Sequence, residues 1–269
     1  MENGMADKAA ATGTVYLDSV ADYDLYCHYV AGIVGQGLTR IWSASGKEAS
    51  CLCNQLELAN SMGLLLQKNN IIRDFRKDVK EKRFFWPREI WAKYGFEEMK
   101  DLYEKGDVEH ALWVQSGMIL DALRHACDSL DYLRLLKNQS VFVFCAVPVS
   151  MAMATLALCF MNPNMFQRNI KIRKDEAVRV GRPVPHSVVA LTQRYSFLQL
   201  LMRSRNMREV ALIFCEYARE IHRKAKLQDP NFLKISDMCY KVYVCHCTSH
   251  YLVYKFISYS RSSNGTNRT

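Results

Sequence analysis

Long stretches of this 269-residue chain run without glycine or proline, and nothing else constrains its fold as much. Only 12 Gly and 6 Pro occur. Within those stretches apolar residues recur at helical spacing. Residues 107–135 are the plainest case, with Ala111, Val114, Met118, Leu120, Ala122 and Leu130 in period. Residues 22–44 repeat the pattern with Tyr26, Val30, Ile33, Val34, Leu38 and Ile41. No run of β-branched alternation bounded by turns predicts a sheet. An all-α chain is expected. A hydrophobic share of 49% is enough for a substantial core and argues against widespread disorder.

The expected helices follow in order. Residues 22–44 form the first, in which Ala31, Gly32, Gly35 and Gly37 leave room for another helix or a ligand to approach. Glycine is costly inside a helix, so these small residues need a packing or functional reason. Residues 55–82 form a long second helix. Pro87 permits a fresh start, giving a short helix over residues 88–94 that stops near Gly95. Residues 107–135 come next, then a turn and helix entry at Asn138. The very apolar residues 141–160 carry Pro148, where a helix either kinks or begins anew. A turn at Asn162-Pro163-Asn164 precedes a basic segment, a loop over residues 181–186, and a helix over residues 188–227 ended by Asp229-Pro230-Asn231. The division expected is a loose segment over residues 1–22, a helical domain over residues 23–235, and a tail over residues 236–269.

One segment carries a chemical signal, QKNNIIRDFRKDVKEKRFFWP, residues 67–87. Gln67, Asn70, Asp74 and Asp78 are spaced three, four and four, which puts them on one helical face. Two carboxylates on one face suit a divalent ion, and Mg²⁺ takes only one or two of them before water and phosphate oxygens complete its shell. Arg73 and Arg83 flank the pair, and guanidinium grips phosphate in a fork. The plain alternative is a solvated charged face. Against it, the stripe begins with uncharged residues between Leu64-Leu65-Leu66 and Ile71-Ile72. Tyr26 and His28 stand beside the small-residue helix, and a positioned tyrosine serves as general acid or base. Phe142 and Phe144 lie in an apolar run, where an aromatic face either lines the core or stabilises a cation. Lys171 and Arg173 alternate with isoleucines, a pattern equally suited to phosphate contact and to a solvated face.

The net charge of +9 fits an anionic partner such as diphosphate, a dinucleotide or a membrane surface, or else charge spread over solvated faces. No nucleic-acid motif accompanies it. Most of the ten cysteines sit singly in apolar surroundings and read as buried free thiols. With no secretory signal before them, a reducing compartment is expected. Cys239, Cys245, His246, Cys247 and His250 cluster in the tail without the spacing of a four-ligand metal site. No continuous apolar run reaches the ~20 residues of a membrane span. Residues 242–259 come nearest and are interrupted by His246, His250 and Lys255, so membrane surface contact is the most they suggest.

These pieces together resemble squalene synthase (farnesyl-diphosphate farnesyltransferase), of the all-helical isoprenoid synthase class. The stretches YCHYVAGIVGQGLTRIWSAS, ANSMGLLLQKNNIIRDF, FFWPREIW, LKNQSVFVFCAVPVSMAMATLALC and IKIRKDEA come in the family's order and at about its spacing. The resemblance implies an isoprenoid synthase-type helical bundle. It also implies sterol biosynthesis by head-to-head condensation of two farnesyl diphosphates to presqualene diphosphate, with Mg²⁺. NADPH-dependent reduction to squalene follows, on the cytosolic face of the endoplasmic reticulum membrane. Asp74 and Asp78 then fall in the second aspartate-rich motif and hold metal. Tyr26 matches the tyrosine that accepts or relays a proton. Phe144 matches the aromatic residue that stabilises a cation. Arg73 and Arg83 meet diphosphate or cofactor, Gln67 and Asn70 line the pocket, and Lys171 and Arg173 meet the NADPH phosphates. The family motif usually reads DxxED, and Lys77 stands at its second acidic position. Asp18, Asp22 and Asp24 do not match the first aspartate-rich motif. The expectation is an N-terminally incomplete bundle. The alternative is a truncated, catalytically impaired homologue that binds diphosphate, NADPH or a partner chain.

Overall fold

A computed structural model describes residues 15–170 and 207–246. Lys171, Arg173, the loop over residues 181–186 and the tail beyond residue 246 lie outside the described residues, as does the start of the helix expected from residue 188. The first helix, α1 (Val20–Cys27), begins at Ser19, whose hydroxyl accepts from the Asp22 amide while the Asp22 carboxylate accepts from the Ser19 amide. Such a reciprocal cap satisfies two donors that the first turn leaves open. The helix runs through a π turn (His28–Gly32) into α2 (Ile33–Ala44). A 3₁₀ turn (Ser50–Asn54) leads to α3 (Leu56–Arg73), followed by α4 (Phe75–Lys80), α5 (Arg88–Trp91), α6 (Asp101–Glu104), α7 (Val108–Leu123), α8 (Ala126–Leu135), α9 (Gln139–Cys159), α10 (Met207–Lys224) and α11 (Phe232–His246). The all-α expectation holds apart from a two-residue parallel ladder between β1 (Val15–Tyr16) and β2 (Arg83–Phe84), with Val15 opposite Arg83.

Helix α3 is the axis of the bundle. It packs against the π turn, α2, α7, α8 and α9. Its buried residues include Ala59, Met62, Leu65, Lys68, Ile71 and Ile72, which cover most of its circumference and leave open the face of Gln67 and Asn70. A helix buried on so wide an arc has to be enclosed by others. The small residues noted in the sequence explain the closest contact. A Cβ added to Gly63 would lie 2.7 Å from the Ala31 carbonyl oxygen, and one added to Gly35 would lie 2.7 Å from that of Ala59. It is therefore a second helix, rather than a ligand, that meets these two glycines. The two contacts make α2 antiparallel to α3.

Two expected helices are each divided. Residues 107–135 break at Arg124 and His125 into α7 and α8. The break lets Arg124 reach Asp24 and Asp121, while the Nδ1 of His125 meets the Ser61 hydroxyl at 2.8 Å. Residues 55–82 break at Asp74, with φ −92° and ψ 10°. Proline does not divide α9, which continues through Pro148. Asn138 caps it as expected, accepting from the amides of Ser140 and Val141. Contrary to the expectation of no membrane-length run, α9 has the length and apolarity to cross a bilayer. It is mostly buried here, packed on α3 and α10 as a core helix. Helix α11 passes across residue 235 and buries Ile235, Cys239 and Val242.

Two measurements probe this packing. Gly→Ala favours a helix by about 0.5–1 kcal/mol where space is free. At Gly37 a Cβ meets nothing within 4 Å, so Gly37→Ala should raise the urea midpoint. At Gly63 overpacking against backbone costs about 1–3 kcal/mol, so Gly63→Ala should lower it. His125 is the second probe. Burial, with the charges of Lys68 and Arg124 adding, depresses its pKa from 6.5 to about 3. The folded protein keeps it neutral while the unfolded chain protonates near 6.5, so its contribution is complete above that pH and declines as pH falls towards 3. Unfolding free energy of the wild type should fall by about 1.2 kcal/mol more than that of His125→Gln between pH 6 and 5.

Candidate functional site

The stripe seen in the sequence survives the break in its helix. Gln67 and Asn70 lie on the last turns of α3, Asp74 sits at the junction, and Asp78 lies in α4. The Asp78 amide donates to the Asp74 carbonyl at 3.0 Å, so the two carboxylates remain one turn apart. Each carboxylate is held by an arginine. Arg73 reaches Asp74 through a fork, with Nε to Oδ1 at 2.9 Å and Nη2 to Oδ2 at 2.6 Å. Arg83 donates to Asp78 at 2.7 Å and pairs with Glu81 at 2.5 Å. Burial holds the Asp78 carboxyl above the usual carboxylate range. Arg83 opposes that rise, and the negative charges of Asp74 and Glu81 reinforce it.

Tyr26, at the end of α1, joins this cluster. Its ring stacks on Phe85, with centroids 4.9 Å apart and planes at 24°. Arg83 stands over the other partner of the stack, 6.0 Å from the Phe85 centroid. Burial raises the Tyr26 pKa, with Cys27 and Asp78 adding and Arg83 opposing. The phenol therefore keeps its proton at neutral pH, as a donor beside the carboxylates. Phe85 was missed as a site residue, although its neighbours Phe84 and Trp86 made the segment conspicuous. Trp86 is buried against Phe75, so of the aromatic run it is Phe85 that faces Tyr26.

Phe144 is not in this cluster. It lies 61% exposed near the start of α9, edge-on to Trp42 with centroids 5.9 Å apart. Cys159, at the other end of α9, feels the charges of Arg73 and Asp74. Phe144 and Cys159 lie about 22 Å apart along α9 at 1.5 Å per residue, and the helical run from Tyr26 through the π turn to Trp42 leads from the carboxylates to Phe144. Helix α2 joins the ends. Val34, Leu38 and Trp42 are spaced four apart and share a face. Val30, Ile33, Val34 and Ile41 are all more than 40% exposed, which makes this an open apolar wall. Phe142, by contrast, is core at 6% exposure.

Two hard carboxylates that repel one another in a partly buried setting fit a divalent cation such as Mg²⁺, which would offset the raised Asp78 pKa. Lys77 is exposed on α4 and forms no ion pair with Asp74 or Asp78. Of the residues expected to meet NADPH, only Arg73 is among those described. Among the described residues no group of three or more His, Cys, Asp or Glu side chains is placed to hold a metal. A cavity of about 670 Å³ lies elsewhere, lined by Asp24, His28, Asn60, Ser61, Arg124 and His125, and holds none of the expected site residues.

A helical bundle with paired aspartates, flanking arginines and an apolar wall defines an all-helical isoprenoid synthase. Residues 1–176 match the family model of squalene/phytoene synthases, and the chain belongs to that family. It is 54% identical over 264 residues to a squalene synthase of Ganoderma lucidum, covering 93% of this chain and 52% of that one. A squalene synthase of Schizosaccharomyces pombe is 45% identical over 226 residues, covering 84% of this chain and 45% of the other. The solved complex of TcSQS with the ligand E5700 superposes with a TM-score of 0.75 at 34% identity, covering 90% of this chain and 65% of that one. The chain spans about half the length of these curated relatives.

Because Lys77 is exposed and off the carboxylate face, Lys77→Glu should change Mg²⁺-dependent binding of diphosphate by less than about threefold, in the range of surface charge pairs. Calorimetry with inorganic diphosphate checks this. A larger gain would place residue 77 at the ion.

Proposed function

We propose that this chain carries a prenyl-diphosphate site of squalene synthase type, acting in head-to-head condensation of two farnesyl diphosphates and NADPH-dependent reduction to squalene, in sterol biosynthesis. The observation that carries the reading is the junction of Asp74, Asp78, Arg73 and Arg83 with the Tyr26–Phe85 stack, at one end of an apolar wall that ends at Phe144. Asp74 and Asp78 would hold Mg²⁺, which would supply positive charge to the departing diphosphate. Arg73 and Arg83 grip phosphate oxygens, and Gln67 and Asn70 flank them on the polar face. Tyr26 accepts or relays the proton released on condensation, towards the departing diphosphate beside it. The α2 wall accepts the apolar chain, and Phe144 with Trp42 offers aromatic faces to a cation at the far end. Arg73, Lys171 and Arg173 are the residues assigned to NADPH. By family the setting is the cytosolic face of the endoplasmic reticulum membrane.

A second reading rests on the open wall. Carbocation chemistry requires water to be excluded, and Val34 and Phe144 are 56% and 61% exposed. On this reading the chain binds diphosphate, or pairs with another chain, without turning over by itself.

Incubation with farnesyl diphosphate, Mg²⁺ and NADPH, followed by mass spectrometry, separates the two. Presqualene diphosphate or squalene supports the first reading. Binding of the substrate without either product supports the second. Under the first reading Tyr26→Phe should lower turnover about 10²-fold or more, as loss of a positioned acid–base group does, with substrate affinity little changed.

A further inference from the structure

Both aspartates and both arginines are already engaged, and with each other. Arg73 holds Asp74 through two hydrogen bonds, at 2.9 and 2.6 Å. Arg83 holds Asp78 at 2.7 Å and Glu81 at 2.5 Å. A cation arriving alone meets carboxylates that are paired and two guanidinium groups that repel it. A diphosphate arriving alone meets guanidinium groups that are paired and carboxylates that repel it. A cation and a diphosphate arriving together meet neither obstacle. The carboxylates turn to the cation and the guanidiniums turn to phosphate oxygens, so both aspartates and both arginines keep a partner of opposite sign, while Glu81, left by Arg83, is exposed to water. The exchange is cheap because these pairs are only partly buried. The side chains are 30% and 24% exposed in the Arg73–Asp74 pair, and 39% and 11% in the Arg83–Asp78 pair. Ion pairs open to water, as Arg73–Asp74 is, are worth about 1 kcal/mol or less, whereas Asp78 is buried and needs a positive partner throughout, Arg83 before the exchange and the cation after it.

We propose that Arg73 and Arg83 are exchangeable counter-ions: they hold Asp74 and Asp78 until a divalent cation and a diphosphate bind together, and then transfer to the diphosphate. The proposal rests on the prenyl-diphosphate reading of this site and adds a coupling to it. Cation and diphosphate raise each other's affinity, and by linkage they do so by the same factor. The two arginines thus oppose the cation when it comes alone and favour it when it comes with its anion.

That change of sign is the test. Arg73→Gln and Arg83→Gln are made separately, with folding checked by circular dichroism so that either variant suffices alone. Binding of Mn²⁺ alone is followed by electron paramagnetic resonance. Binding of inorganic diphosphate in saturating Mg²⁺ is followed by calorimetry. In a folded variant Mn²⁺ alone should bind about threefold to fivefold more tightly, because one carboxylate is released from its ion pair. Diphosphate with Mg²⁺ should bind about tenfold more weakly, because one charge-assisted grip is lost. Two changes of the same sign, or none in either measurement, overturn the exchange. If the wild type binds no diphosphate even with Mg²⁺, the prenyl-diphosphate reading fails as well, and this separates its failure from that of the exchange alone.

Discussion

Lys68 is wholly buried at the centre of α3, with its ammonium 2.5 Å from Asp24 on α1 and 2.5 Å from Asp121 on α7. An ion removed from water costs several kcal/mol unless well-placed opposite charges surround it. Three helices are therefore obliged to meet at one point, and Arg124 completes the group by bonding the same two aspartates. Such a network adds little net stability over an apolar core, and its bonds tie α1, α3 and α7 together at this point. Removing one member unbalances the charge of the group: without Lys68 two aspartates share Arg124 alone, and without either aspartate two cations share one carboxylate. The position of α1 on α3 follows from this contact, and with it the position of Tyr26, two residues beyond Asp24.

Close packing then extends that contact. Gly63 and Gly35 allow α2 to approach α3 backbone to backbone, and the π turn carries the chain from one contact to the next. A π turn is a costly local geometry that recurs at functional sites. Here it separates the helix that brings Tyr26 to the carboxylates from the helix that forms the apolar wall. The arrangement has a chemical result. Charge is gathered at the C-terminal end of α3, where Asp74 interrupts the helix, and the rest of the face is left for hydrocarbon.

Much of this was legible in residue order. The helices, the Asn138 cap, the stop at Gly95 and the polar stripe all depend on contacts within a few residues, which spacing reports directly. Spacing alone predicts both broken helices as continuous, because periodicity persists through one or two non-helical residues. Nothing local marks Asp74 or His125 as a break. Arg124 bonds a residue one hundred positions away, and His125 one sixty-four positions away. The stacking of Phe85 is invisible in residue order for the same reason, since its partner Tyr26 is distant in sequence. The apolarity of residues 141–160 was plain, but whether such a helix faces lipid or protein depends on what packs around it.

The sequence by itself determined the helical class, the polar stripe with its two carboxylates, and the family to which these residues belong. Side-chain type and spacing settle those properties before any long-range contact forms. Only the tertiary structure decided that each aspartate is held by an arginine, that Tyr26 stacks on Phe85 beside them, and that Phe144 stands at the opposite end of an open wall. Those are distances between residues far apart in the chain, and they exist only once the buried charges of Lys68, Asp24 and Asp121 have fixed how the helices meet.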